Sequence, residues 1–320
     1  MSSGASDTKL SPTPTAAGVS NVPSAAMRLA LGLAGLLRQK HAVVPLGQMA
    51  LPGRSAGTKA AIRALATGVP MQDAMLCRVL GRYKMLVDPG DRGFAPHLVL
   101  DGYWEWWTTN VLARNLRRGQ RVAEAGACYG YFTLLMADLV GPQGRVTAFE
   151  PNPDAAALLQ RNLELNGLAE RTRVVRAAIG AAEGSLSAPL LVPPHAPMAA
   201  RIGGSELAGV DGPGADQRVL RVPCRPLDSL ADEPIDWVKL DLPGSAAPAW
   251  HGMQRLLERR PQLRILMGFD PARTPQPASF LEQVAQRLPL RVVDHAGEVR
   301  ATTAAALTAG GVSLLYLAKD

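Results

Sequence analysis

The stretch from Arg121 to Gly167, RVAEAGACYGYFTLLMADLVGPQGRVTAFEPNPDAAALLQRNLELNG, decides the fold. Arg121–Ala125 has the β-branched and small residues of a short strand and carries an acid, Glu124, near its end. A glycine-spaced turn follows, Gly126-Ala127-Cys128-Tyr129-Gly130, then an apolar run that predicts a helix starting near Tyr129. Arg145–Phe149 predicts a second strand, closed by another acid, Glu150. Asn152-Pro153-Asp154 is a helix start, with an N-cap, a proline in the first turn and an acid beside it. Strand, glycine turn, helix, strand and acid in that order make half of a nucleotide-binding α/β sheet.

Each part has a physical role. Glycine lets the backbone approach a ligand where a Cβ would collide. The helix after the turn aims its N-terminal NH groups and positive dipole end at whatever lies over the turn. A carboxylate ending the second strand can accept both hydrogen bonds of a ribose diol. The turn is G-x-x-x-G, not the G-x-G-x-x-G of a dinucleotide site, and Glu124 lies two residues upstream. An acid there repels a pyrophosphate and suits a ligand with an ammonium group and no phosphate, such as S-adenosylmethionine (SAM). The competing reading is a structural βαβ unit with incidental glycines; the two acids at strand ends favour SAM.

Outward from this unit the chain alternates strands and helices. Residues 58–81 show helix-like periodicity through Ile62, Leu65, Ala66, Met75, Leu76, Val79 and Leu80. Tyr83–Val87 reads as a strand before the turn Asp88-Pro89-Gly90. Asp101–Gly119 predicts a helix whose Trp104, Trp106 and Trp107 cannot all face one core stripe. Further strands are expected at 173–177, 219–223, 236–240, 263–269, 290–293 and 312–318, with a helix near 278–288. Residues 180–217, rich in Gly and Pro, predict an irregular insertion over a substrate. The expected fold class is α/β, an open, doubly wound sheet.

Composition bounds the function. A chain of 320 residues with 47% hydrophobic content can bury one large core. The net charge of +7 is arginine spread along the chain without a dense basic block, so nucleic acid is not an expected partner. Cys77, Cys128 and Cys224 are far apart, which implies a reducing compartment, the cytoplasm, and no zinc site. Residues 1–26 are Ser/Thr/Ala/Pro-rich and predict a disordered tail; 27–100 predict a helical accessory segment, and 101–320 the main domain. The apolar run Met27–Leu37 is too short to span a bilayer and reads as a packed helix or weak peripheral membrane contact. With the tryptophan cluster it is also a candidate homodimer interface.

These pieces resemble the FkbM family of SAM-dependent methyltransferases. The resemblance rests on VAEAGACYGYFTLL from Val122, VTAFEPNP from Val146, LLQRNLELNGL from Leu158, AAIG at Ala177–Gly180, PLDSL at Pro226–Leu230 and IDWVKLDLPG at Ile235–Gly244. GYWEWWTTN upstream is similar to the family's Tyr/Glu segment. The resemblance implies a seven-stranded class I methyltransferase (Rossmann-like) sheet with an antiparallel last strand. It also implies O-methylation of a hydroxyl on a sugar, glycan or secondary metabolite. By it, Glu124, Gly126, Ala127, Cys128 and Gly130 form the turn around the methionine part of SAM. Glu150 holds the ribose beside Pro151 and Asn152, and Ala178 and Ile179 sit at the adenine edge. Glu105 reaches the amino-acid end of SAM or, alternatively, is an exposed helix acid.

Asp241, at a strand's carboxyl end, is the candidate catalytic residue, with binding of loop NH groups or the SAM amine as its alternative. His97, His195 and His251 are weaker candidate bases, Lys239 in or beside its strand reads as structural, and no spacing supports a metal ligand set. The chain departs from the family pattern at Glu124 for Asp and Cys128 for Asn. Pro243, Ala246 and Gly268 stand where acids are usual. A degenerate, non-catalytic SAM-binding or partner protein is therefore the alternative function.

Overall fold

Topology follows from where the parallel strands can hide their faces. The computed structural model describes residues 43–181, 187–203, 217–242 and 244–319. The expected tail, the apolar run Met27–Leu37 and Pro243 lie outside these. Val44–Asp320 forms one compact unit.

The unit opens with helices α1 (Leu46–Ala50) and α2 (Ser55–Leu65), then strands β1 (Gly68–Pro70), β2 (Met75–Val79) and β3 (Tyr83–Val87). The three strands form an antiparallel sheet. The helical periodicity expected through residue 81 therefore stops at Leu65. A hairpin turn overrides it: Leu80 and Gly81 both have positive φ, +53° and +61°, and Arg82 N–H bonds to the Val79 carbonyl. The register Val79↔Tyr83 leaves a three-residue loop, and these left-handed residues reverse the chain within it. A leucine in place of the usual Asn or Asp conceals it.

Helix α3 (Ala95–Leu100) precedes α4 (Trp106–Asn115). The helix expected from Asp101 starts five residues later, because Gly102 and Glu105 take left-handed backbone, φ +73° and +36°. The three tryptophans then diverge. Trp106 is buried in the core, while Trp104 and Trp107 face two different cavities.

The main sheet continues with β4 (Arg121–Ala125), α5 (Tyr131–Val140), β5 (Arg145–Phe149), α6 (Pro153–Leu165) and β6 (Thr172–Val175). Strand β7 (Ala178–Ile179) leaves this sheet and joins β8 (Ser187–Val192), β9 (Arg201–Ile202) and β10 (Arg218–Arg225) in a second one, ordered β7-β10-β8-β9. The Gly/Pro-rich stretch expected to be irregular thus contains strands. Ala188, Leu190 and Val192 alternate into a small core with Val222, a period of two that the proline at 189 disguises.

The chain returns through β11 (Trp237–Leu240), α7 (Ala246–His251), α8 (Gln254–Arg259), β12 (Arg264–Phe269), α9 (Pro277–Ala285), β13 (Arg291–Val293), β14 (Val299–Ala301), α10 (Ala304–Ala309) and β15 (Ser313–Leu317). Among the described residues the main sheet has the order β14-β13-β15-β12-β11-β4-β5-β6. The run from β12 to β6 is parallel, and β15 inserts antiparallel between β12 and β13. Seven of these strands make the expected doubly wound methyltransferase order; the short hairpin strand β14 adds an eighth.

Alternate residues go to opposite faces. Val122 packs in one apolar cluster with Leu134 and Leu159, while its neighbour Ala123 packs in another with Trp250 and Leu281. Helix α6 fixes the small N-terminal sheet to the main one. Asn162 exchanges hydrogen bonds with the backbone of Leu86 (2.6 and 2.9 Å) and also donates to the Tyr129 carbonyl (2.8 Å). One turn later Asn166 does the same with Lys84.

Candidate active site

The carboxyl ends of β4, β5 and β11 converge on a narrow cavity, about 60 Å³, whose walls include Gly126–Cys128, Glu150, Pro151, Asp241 and Leu242. This is where open α/β sheets place ligands. Local sequence explains the convergence. Gly126 has φ +84°, and a Cβ on it would run into the Asp241 carbonyl oxygen. Only glycine lets the turn pass so close to the end of β11. The Gly126 and Ala127 N–H groups bond to the Phe149 carbonyl, tying the turn to β5.

Glu150 braces the turn from the other side. Its carboxylate accepts from Cys128 N–H at 2.7 Å and Asn152 N–H at 2.9 Å. Burial nevertheless pushes its pKa up to about 7. Cys128 itself sits in left-handed backbone, φ +49°, which Asn tolerates better than Cys.

Phe94 and Trp104 close the cavity from the N-terminal segment, with ring centroids 5.3 Å apart. The turn Pro197–Ala200, between β8 and β9, closes it from the second sheet. Small-molecule sites usually measure about 300–1,000 Å³, so these walls must part to admit a nucleoside-sized ligand.

Other expected residues lie elsewhere. Glu124 is 1% exposed and does not line the cavity; it lies beneath, accepting from Thr133 Oγ1 at 2.5 Å. Gly130 packs on Leu159 behind the turn. Asn152 caps α6, accepting from Asp154 N–H. Ala178 lies in the core of the second sheet, and Ile179 lines a separate groove. His97, His195 and His251 do not line the cavity; His97 packs behind its Trp104 wall, ring centroids 5.0 Å apart.

Asp241 also lines a second cavity of about 350 Å³, with Glu105, Trp107, Thr108, Lys239 and His295 among its walls. Lys239, 3% exposed, holds the charges together. Its Nζ lies 3.1 Å from Asp241 Oδ2, 3.5 Å from Glu124 Oε1 and 4.3 Å from the centre of the Phe132 ring. Burial favours a neutral amine, but the charges of Asp241, Glu124 and Glu105 outweigh it and raise the lysine pKa. Burial raises Glu124 as well, opposed by Lys239 and Thr133. Glu105 is pushed up to about 7, first by burial and then by the charge of Asp241. Sequence reading left Lys239 as a structural residue and passed over His295. A lysine inside the apolar strand Trp237–Leu240 was the available signal for the first. Nothing local marked the second.

The charge of the first cavity is decisive for its ligand. Among the described residues its walls carry two carboxylates, Glu150 and Asp241, and no cationic side chain. Such a lining disfavours pyrophosphate and fits SAM, whose sulfonium is positive.

The methyltransferase FkbM domain profile matches residues 124–289, more than half of the 320-residue chain. The chain belongs to the FkbM methyltransferase family. SAM is the methyl donor. Shorter similarities join this FkbM-family chain to other methyltransferases. Protein-L-isoaspartate O-methyltransferase of Ignicoccus hospitalis is 38% identical over 73 residues, 23% of this chain and 31% of that protein. Catechol O-methyltransferase of Mycobacterium tuberculosis is 40% identical over 58 residues, 18% of this chain and 26% of that protein. The matches thus span less than a third of these relatives. Among solved structures, the Bacillus cereus O-methyltransferase in complex with SAH is 16% identical, with a TM-score of 0.38, covering 72% of this chain and 84% of that one. A transferase of Pyrococcus horikoshii is 13% identical, with a TM-score of 0.42, covering 77% and 71%. Among the described residues no helix is long and apolar enough to cross a membrane, and no group of three or more His, Cys, Asp or Glu could hold a metal ion.

Proposed function

We propose that this methyltransferase acts on oxygen, moving the methyl group of SAM to a hydroxyl of a sugar, glycan unit or secondary metabolite. The observation that carries the reading is Asp241, which forms a wall of both the cation-free acidic cavity and the 350 Å³ cavity beside it. Glu150 and the Gly126–Cys128 turn would hold the ribose and methionine parts of SAM. The second cavity is the size of a small-molecule site. Bound SAM supplies an electrophilic methyl on a sulfonium. The chain's own contribution is to hold the acceptor in line, which is worth about 7–11 kcal/mol in well-oriented reactions.

A second reading, a SAM-binding protein without catalysis, draws on three features. Ala246 is buried where the family usually has an acid, Gly268 brings no side chain toward Asp241, and Lys239 ties up Asp241. The test offers purified protein SAM with a labelled methyl group and a panel of sugars, polyols, phenols, carboxylic acids and amines. Methyl ethers are the expected products. Products confined to methyl esters or methylamines would overturn the choice of a hydroxyl acceptor, and no transfer to any of them would favour the second reading.

A further inference from the structure

Of the three carboxylates that line the 350 Å³ cavity, Glu105, Asp241 and Asp294, the first two are not equivalent. Asp241 is bound to the Lys239 ammonium at 3.1 Å. The lysine end of this ion pair is buried and the Asp241 side chain is 42% exposed, so a proton delivered to Asp241 would have to displace the ammonium. The Glu105 carboxylate accepts from Thr108 Oγ1 at 2.9 Å. Thr108 is three residues along α4, so this bond fixes the carboxylate at the start of that helix. Glu105 also occupies left-handed backbone, φ +36° and ψ +70°, a conformation that costs a non-glycine residue free energy and persists where surrounding structure imposes it. Trp107, on the same helix, meets His295 edge to face at 5.2 Å across the cavity.

We infer that Glu105 is the catalytic residue that takes the acceptor's proton, while Asp241, paired with Lys239, positions the acceptor. The inference rests on the hydroxyl-acceptor reading above. In balanced form, the acceptor O–H gives its proton to the Glu105 carboxylate as its oxygen forms the new bond to the methyl carbon. The carbon–sulfur bond breaks with its electron pair going to sulfur, leaving a neutral thioether.

A base for this role must titrate near neutrality and must sense the charge of the donor. Burial and Asp241 place Glu105 in that range. The groups that face it are Asp241 and Lys239 from β11, Thr108 from its own helix, Tyr131 from α5, and Asp294 and His295 across the cavity. Arrival of a sulfonium beside these acids favours the ionised form of Glu105. SAM and its demethylated product, S-adenosylhomocysteine, share the ribose and the amino-acid end and differ in that charge. Glu150, which also titrates near 7, therefore responds alike to both.

The test is calorimetric titration of the full chain with each ligand at pH 7, in buffers of different ionisation enthalpy, which counts the protons released. SAM should release more protons than S-adenosylhomocysteine, by up to about half a proton per site for a group half-protonated at that pH. Glu105→Gln should abolish the difference between the two ligands. Equal proton release by the two ligands, or a difference that survives in Glu105→Gln and disappears in Asp241→Asn, would overturn the assignment with the cofactor reading intact. Binding of neither ligand by folded wild-type protein would instead overturn the cofactor site on which the assignment rests.

Discussion

The cofactor side and the acceptor side of Asp241 are built on different principles. On the cofactor side, backbone does the positioning. A left-handed glycine lies against the Asp241 carbonyl, and two backbone N–H groups hold Glu150. On the acceptor side, side-chain charge does it, with Lys239 set among Glu105, Glu124 and Asp241. The first arrangement is fixed by sterics and tolerates little change. The second is a balance of charges that pH, ligand and substitution can shift.

Breaking the backbone side should have an effect as large as any. Gly126→Ala combines a clash with Asp241 and a left-handed Cβ. Overpacking and backbone strain together should cost about 3–5 kcal/mol in chemical denaturation. A near-neutral result would show that the turn can move away from β11. On the charge side, Lys239→Met leaves the buried Glu124 with Thr133 but no cation, removes the cation beside Asp241, and should cost about 3–5 kcal/mol near pH 8. Adding Glu124→Gln should recover part of that loss. If the two substitutions simply add, the charges are not coupled and the contrast between the two sides fails.

The pH dependence sharpens the comparison. Glu150 has a folded pKa raised from 4.5 to about 7, so its favourable contribution is complete below the unfolded value and is lost as pH rises through about 7. Taken alone this is worth roughly 3 kcal/mol. Glu105 acts in the same direction. Ligand-free protein should therefore melt lower at pH 8 than at pH 5.5, and SAM should narrow the gap. A Tm that rises steadily over that interval would contradict the burial of these acids. The smallest effect belongs to Cys128→Asn, which puts a residue tolerant of left-handed backbone at φ +49° and should stabilise by up to about 1 kcal/mol.

The same contrast explains what the sequence disclosed. The cofactor side comes from one contiguous stretch, and its glycines, N-cap and strand-end acid have local signatures. β4, β5, α6 and the turn could thus be read directly. The acceptor side gathers Glu105, Lys239, Gly268 and His295 from separate elements, and only the folded sheet brings them together. His295 follows a hairpin residue, Asp294, with no motif around it. Elsewhere, legibility failed where long-range pairing outweighed local pattern. Met75–Val79 has helical spacing but pairs with Tyr83–Val87, and Ser187–Val192 hides its alternation behind a proline. Glu124 could be placed at a strand end, but which way its side chain points depends on Thr133 and Lys239.

The most direct test of the central claim is the affinity of wild-type protein and Glu150→Ala for S-adenosylhomocysteine, measured by calorimetry on protein shown to be folded. Glu150 ties the turn to the end of β5 and is the residue proposed to hold the ribose. Wild-type binding in the micromolar range, weakened about 10- to 100-fold by the substitution, is the predicted result, equivalent to about 1.5–3 kcal/mol for charged hydrogen bonds. Equal affinity in the two proteins would contradict the assignment of Glu150, and no binding by either would contradict the cofactor site itself.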